Sequence, residues 1–312
     1  MAITGTSALG GTVKAAYDRY VEFALRSIPT YRAVVDKRPV AQAMPGSSVV
    51  FSLHAEMADK VSTLTEGTDP TATALADVTQ VTVTLAEYGN VVTASRKLGE
   101  LGFSDVDPAI ANIIAYNMSS SLDNIIATVL DGGTNVLYAT GGATPATSTV
   151  TTAADDVITG LDVRKAVAKL RGLNAIPRTG QLYAGYIHPD VAHDLRNETG
   201  AQSFEDVRKY TDANQMDVLN QATGVYGGAY FIETPRAIVL TDGVGAAIDV
   251  YRTNILGAQA VAEATAVEPG VVIGPVVDQL MRQRPIGWYA LTGFSMYRQG
   301  AAYRIESSSS IA

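Results

Sequence analysis

Val49-Val50-Phe51-Ser52-Leu53 and Val81-Thr82-Val83-Thr84-Leu85 bracket the stretch that decides the fold. The first is an apolar run of strand length. The second alternates strictly and is rich in β-branched residues. Both patterns predict strands. Between them lies a polar, acidic segment around Leu64-Thr65-Glu66-Gly67-Thr68-Asp69-Pro70. A two-stranded ribbon standing alone is marginal in water. With few apolar residues at its tip, this arm has too little core of its own and needs another surface to lie on. That need points to an assembling protein rather than a self-contained enzyme.

Directly after the arm, Asp107-Pro108 opens a long helix. Asp is a favoured N-cap, and Pro is favoured at the first helical position, where its missing N–H costs nothing. Ile110, Ile113, Ile114, Met118, Leu122, Ile125, Ile126, Val129 and Leu130 then recur at steps of three, four and one, which is helical periodicity. Gly132-Gly133 is expected to supply a left-handed stop. A helix over 108–131 is about 36 Å long. Its opposite face carries Asn112, Asn117, Ser119, Ser120, Asp123 and Asn124. That face is polar and nearly uncharged, as expected of a helix packed on more than one side. A core helix of an ordinary α/β domain would read the same way.

The chain has 312 residues, enough for one large domain or two smaller ones. Charged residues make up 17% of it, below the usual quarter, so much of its surface can face protein instead of water. The net charge of −8 argues against a dedicated nucleic-acid binder, which shows a basic patch. There is no Cys, so disulfides, thiolate catalysis and Cys-based metal sites are excluded. No secretory signal pattern and no apolar run of membrane-spanning length occurs. The expectation is a soluble chain made in a cytoplasm.

The charges are unevenly spread. Lys14, Arg19, Arg26, Arg32, Lys37 and Arg38 outnumber Asp18, Glu22 and Asp36 in residues 1–40. In residues 41–90 only Lys60 opposes Glu56, Asp59, Glu66, Asp69, Asp77 and Glu87. Near the end, Arg282, Arg284, Arg298 and Arg304 face Glu306. An acidic arm between basic ends suggests docking of the arm on a neighbour, since complementary charge sets register and partner choice. Chance clustering on a solvated surface gives the same pattern.

Lys14 to Ile28 reads as a short amphipathic helix ended by Pro29, and residues 29–45 as extended. Thr140 to Ala154, rich in Gly, Thr and Ala, reads as a loop. Thr159 with Asp162 forms a capping-box pattern ahead of a helix over Leu161 to Leu173. Leu182 to Ile187 reads as a strand, and His188-Pro189-Asp190 starts a helix through Leu195. Ala229–Ile232, Ala237–Leu240, Ala246–Tyr251, Val271–Ile273, Trp288–Tyr297 and Ala301–Ile305 complete a strand-and-helix mixture of the α+β class.

Catalytic and metal patterns are missing. His188 and His193 are five apart, which does not place them on one helical face, and His188 reads instead as a cap at Pro189. His54 is expected to be exposed. No phosphate loop or nucleophile elbow occurs. Gly243-Val244-Gly245 reads as a turn between strands. Asn117-Met118-Ser119 and Asn197-Glu198-Thr199 match the glycosylation pattern, but without a secretory signal they carry no meaning. Fifteen tyrosines suit contact surfaces, with a buried ring and a polar tip, and equally suit an ordinary core. No catalytic, cofactor-binding or metal residue is assigned.

The order of parts resembles the major capsid proteins of tailed double-stranded DNA phages, a fold shared with encapsulin nanocompartments. Leu64-Thr65-Glu66-Gly67 with Asp69-Pro70, Val81-Thr82-Val83 and Glu87-Tyr88-Gly89-Asn90 are similar to the extended loop of one capsid subfamily. Asp107 to Leu130 resembles the spine helix. Ile187-His188-Pro189 with Leu195-Arg196, Gly224-Val225-Tyr226-Gly227-Gly228 and Ile232-Glu233-Thr234 resemble its axial domain, and Gly287 to Ile305 the return strand of its peripheral domain. The resemblance implies an N-terminal arm over 1–45 and an extended loop over 46–92. It implies a peripheral domain over 93–132 and 266–312, with its spine helix at 108–131, and an axial domain over 133–265.

It also implies a non-enzymatic structural subunit forming pentamers and hexamers of an icosahedral shell, which encloses double-stranded DNA without sequence-specific binding. Such a chain works in the virion and is assembled in the bacterial host cytoplasm. Only about 40 residues precede the loop, so a separate scaffolding protein is expected, with a portal and decoration proteins as further partners. Some relatives cross-link Lys to Asn between subunits. Lys60 is the only Lys in this loop, and no partner for it is singled out. Inter-subunit contacts are expected at Arg19, Arg26, Glu56, Asp59, Lys60, Glu66, Asp69, Arg282 and Arg284. The alternatives are an encapsulin-like cargo shell and a soluble hydrolase using carboxylates.

Overall fold

The computed structural model describes residues 26–39, 48–70, 72–75, 77–97, 106–139, 156–198, 222–241, 248–276 and 278–311. The expected helix over Lys14–Ile28, the loop over Thr140–Ala154 and the turn at Gly243–Gly245 lie wholly or mostly outside them. Residues 26–30 are not helical.

The described elements are, in order, a 3-10 turn (Tyr31–Val34), β1 (Asp36–Pro39), β2 (Ser48–Leu53), β3 (Thr79–Thr84), β4 (Ala86–Ser95), α1 (Val106–Asp131) and β5 (Val136–Tyr138). Then come α2 (Gly160–Gly172), β6 (Tyr183–Ile187), α3 (Pro189–Asn197), β7 (Ala222–Tyr226), β8 (Ala229–Glu233) and β9 (Val239–Leu240). The chain closes with β10 (Val250–Leu256), β11 (Val261–Ile273), β12 (Gln283–Met296), a 3-10 turn (Gln299–Ala301) and β13 (Ala302–Ser307). The chain forms two compact units. One holds Met1–Arg26, Gly89–Asn117 and Gly270–Tyr289; the other holds Ser27–Tyr88, Met118–Pro269 and Ala290–Ala312. The strands form three sheets: β1-β11-β12-β4, the β2-β3 ribbon, and a seven-stranded sheet in the order β5-β13-β10-β6-β8-β7 with β9 beside β10.

The seven-stranded sheet is the core of the larger unit. All five residues of β6 and all seven of β10 are buried, as expected of strands covered on both faces. Alternate residues go to opposite sides. Tyr183 and Ile187 pack with Val163, Val167 and Leu170 of α2 and Val191 and Leu195 of α3. Ala184 and Tyr186 pack with Ile126, Ala127 and Leu130 of α1 and with Tyr31. Most buried tyrosines therefore serve the core. Gly185 leaves room for Phe231, because a Cβ there would lie 2.6 Å from its ring. Gly227 and Gly228, with φ +59° and +94°, form the two-residue turn that joins β7 to β8.

The capping box at α2 forms as expected. Asp162 accepts the Thr159 backbone N–H at 3.2 Å and its hydroxyl at 2.7 Å. The α1 helix also forms, starting at Val106 with Pro108 in its first turn. Its end differs from expectation. Neither Gly132 nor Gly133 takes a positive φ. Instead the Arg304 guanidinium donates to the carbonyls of Asp131 and, at 3.4 Å, of Gly133. The Gly132 N–H bonds the Thr128 and Val129 carbonyls and the Gly133 N–H that of Leu130, so the last turn closes without a left-handed residue, and Arg304 serves the carbonyls beyond it. The same arginine binds the fully buried Glu306 at 2.8 Å, and Arg252 joins Glu306 to Asp131.

Asp123, on the polar face of α1, is only 1% exposed, as a helix packed on more than one side requires. Its Oδ1 accepts the Tyr31 backbone N–H at 2.7 Å, and its Oδ2 pairs with Arg236 Nε at 2.9 Å. Arg236 also donates to the Ser120 carbonyl at 2.8 Å and to Asn124 Oδ1 at 2.7 Å. One half-buried arginine therefore rivets α1, over residues 120–124, to the segment after β8. Burial pushes the Asp123 carboxyl above its ordinary pKa, with the hydrogen bonds from Tyr31 and Arg236 opposing the rise.

Candidate assembly surface

The ribbon forms with the register Val49↔Val83, Phe51↔Val81 and Leu53↔Thr79. Its base is anchored. Val83 is fully buried, and Phe51 meets Tyr297 edge-on with ring centroids 5.8 Å apart. Gly293 of β12 lets the arm backbone lie close, since a Cβ there would meet the Thr84 carbonyl oxygen at 2.2 Å. Beyond Leu53 the anchoring ends. Every described residue from 54 to 78 is exposed and none of them is in a strand or helix. At the tip the Thr68 N–H bonds the Thr65 carbonyl at 3.2 Å, and Gly67 takes φ +78°, which a type II turn requires at its third position.

The tip corrects one sequence expectation, for it is not poor in apolar residues. Met57, Val61, Leu64, Leu75 and Val78 are all exposed, Val61 at 93% and Leu75 at 80%. No regular spacing marks them, so periodicity gave no signal. Exposed large apolar groups gathered on one loop make it a candidate contact surface. Glu56, Asp59, Lys60, Glu66 and Asp69 stand on the same loop, and none is held by an ion pair or side-chain hydrogen bond among the described residues. His54 is exposed there, as expected.

The smaller unit presents a second apolar surface. Val91, Val92, Val271, Val272, Ile273, Val276, Leu280 and Met281 are exposed. Beside them lies an open cavity of about 340 Å³ lined by Gly89, Val91, Val272, Gly274, Pro285, Gly287 and Trp288. The Trp288 indole N–H donates to Asn117 Oδ1 at 2.9 Å, so the ring is held from α1. At the nearby turn Arg282 binds Asp278 at 2.7 Å and fixes the loop that displays Leu280 and Met281. Arg284 is exposed on β12. Arg26 donates to Asn112 at 2.9 Å and lies 4.8 Å over the Tyr116 ring. Arg19 lies outside the described residues. The acidic loop residues thus share one loop, whereas Arg282 and Arg284 sit together at the start of β12 and Arg26 belongs to a separate segment.

Among the described residues, no group of three or more His, Cys, Asp or Glu could hold a metal ion, and no helix is long and apolar enough to cross a membrane. His188 caps α3 through its Nδ1, as its place before Pro189 suggests.

Residues 25–312 match the model of the family described as phage capsid protein. Among solved structures, the capsid of Ralstonia phage GP4 is similar at 14% identity with a TM-score of 0.74, covering 96% of each chain. The capsid of cyanophage P-SCSP1u is similar at 13% identity and a TM-score of 0.73, covering 96% of this chain and 94% of that one. The head of Helicobacter pylori bacteriophage KHP40 is similar at 15% identity and 0.68, covering 99% and 98%. No curated protein matches the chain.

Proposed function

Because this chain belongs to the phage capsid protein family, and is therefore a structural subunit of a capsid shell, we propose that its arm binds a sister copy during assembly. Residues 46–92 are the inter-subunit arm, and residues 1–45 are a second one. Residues 133–265 form the axial domain that meets at pentamer and hexamer centres. Residues 93–132 and 266–312, with the spine helix, form the peripheral domain. The work of the chain is binding rather than catalysis, and the phage shell is favoured over a cargo compartment.

The observation that carries this reading is the loop over 54–78, where five large apolar side chains stand in water on a ribbon that is anchored only at its base. Permanent interfaces between identical chains bury about 2,000–5,000 Å². A long arm reaches that area without a thick core. Glu56, Asp59, Lys60, Glu66 and Asp69 on the loop, and Arg19, Arg26, Arg282 and Arg284 elsewhere, set its register by complementary charge. A scaffolding protein, a portal and decoration proteins are further partners, met in the host cytoplasm. The net charge of −8 suits a wall that encloses DNA without gripping it.

Deleting residues 56–76 tests the reading. The expected product is soluble, folded and unable to form particles on size exclusion and electron microscopy. Particles of normal size would overturn the role of the arm.

A further inference from the structure

The α3 helix starts at Pro189, which has no backbone N–H to offer. The first donor of the helix is the N–H of Asp190, and His188 Nδ1 accepts it at 3.3 Å. An imidazole nitrogen accepts only while it carries no proton. The ring is packed against Tyr251 of β10, with centroids 5.0 Å apart. The Tyr251 hydroxyl donates to Asp190 Oδ2 at 2.9 Å, and that same oxygen lies 3.2 Å from His188 Nδ1. The other charged group acting on the ring is Glu233, at the end of β8, which pairs with Arg196 at 2.9 Å. Asp249 acts on Tyr251 from the start of β10.

We propose that His188 is an acid-sensitive latch: its protonation uncaps α3 and loosens the contacts that this helix makes. A protonated Nδ1 must turn toward Asp190 Oδ2 or toward water. Either way the Asp190 N–H loses its acceptor, and the hold of Tyr251 on the carboxylate is contested. The effect reaches the C-terminal segment. Asp194, on the same helix, accepts the Ser310 backbone N–H at 2.9 Å and also its hydroxyl.

Burial lowers the His188 pKa, while Asp190 and Glu233 pull it upward. A histidine lowered in the folded state contributes stability that is present above its ordinary value near 6.5, and that is lost as pH falls through this value toward the lowered one. The latch is therefore closed at neutral pH and opens in acid. This inference does not depend on the arm reading.

Hydrogen exchange of the full chain, corrected for intrinsic rates, tests it at about pH 7.5 and about pH 5. Amides 190–192 are expected to open about fivefold more at the lower pH, the usual value of an N-cap, while α2 stays level. His188→Asn keeps a side-chain acceptor that does not titrate, so it should abolish the difference. His188→Ala should open at both values. An equal pH response in His188→Asn, or none in the parent chain, would overturn the latch. If His188→Ala does not fold, the His188→Asn comparison and a proton titration of the His188 ring still decide the question.

Discussion

Replacing Arg236 by Met leaves the Asp123 carboxylate buried without a cation. The side chain of Asp123 is 1% exposed, so water cannot take the place of the guanidinium. The Ser120 carbonyl and Asn124 lose donors as well. Breaking one side of a buried pair costs about 3–5 kcal/mol. The cost is bounded, because the carboxyl can take up a proton instead. Neutralising it costs about 1.4 kcal/mol for each pH unit above its ordinary value near 3.9, or about 5 kcal/mol near pH 7.5 and about 1.5 kcal/mol near pH 5.

The sign follows from the direction of the shift. Burial already raises the Asp123 pKa, so the folded state binds this proton more readily than the unfolded one. Its favourable contribution is present in acid and is lost as pH rises. Removing Arg236 raises the pKa further. Arg236→Met should therefore lose about 3–5 kcal/mol near neutrality and about 3 kcal/mol less near pH 5. Urea unfolding of the unassembled chain, followed by far-ultraviolet circular dichroism, measures both. Adding Asp123→Asn keeps an acceptor for the Tyr31 N–H but carries no charge, so the double variant should lose the pH dependence. A loss below about 1 kcal/mol near neutrality, or a loss that does not shrink in acid, would refute the rivet.

Two further substitutions probe the core. Gly185→Ala places a methyl group 2.6 Å from the Phe231 ring and should cost about 1–3 kcal/mol by thermal unfolding. Thr159→Ala removes the hydroxyl that binds Asp162 and should raise exchange in the first turn of α2 by the equivalent of about 1 kcal/mol, while α3 stays unchanged.

Local chemistry made several parts of this fold legible in the sequence. The β-branched runs at 49–53 and 81–85 gave the ribbon, the apolar period after Asp107 gave α1, and Thr159 with Asp162 gave the start of α2. What stayed hidden depends on distant partners. The cation that pairs with Asp123 was not legible because Arg236 is 113 positions away. The first half of β11 was missed because Ala262, Glu263 and Ala264 carry little strand propensity. There the buried Glu263 is neutralised by Arg32 at 2.7 Å, another distant partner. In β4, Gly89 and Asn90 interrupt the alternation that would have marked a strand. At the candidate surface, the acidic loop charges were visible, but the exposed apolar residues around them were not, since irregular spacing carries no period. The left-handed glycine stop after α1 failed for a third reason: the Gly132 and Gly133 N–H groups close the last turn on Thr128, Val129 and Leu130 without a positive φ, and Arg304 from the last strand binds the Asp131 carbonyl.

Amide exchange across residues 54–78 addresses the central claim most directly, measured on the dilute unassembled chain and on assembled particles. The account expects fast, unprotected exchange in the single chain and strong protection of the same peptides once sister copies cover the loop. Protection already complete in the isolated chain, or exchange equally fast in finished particles, would contradict it.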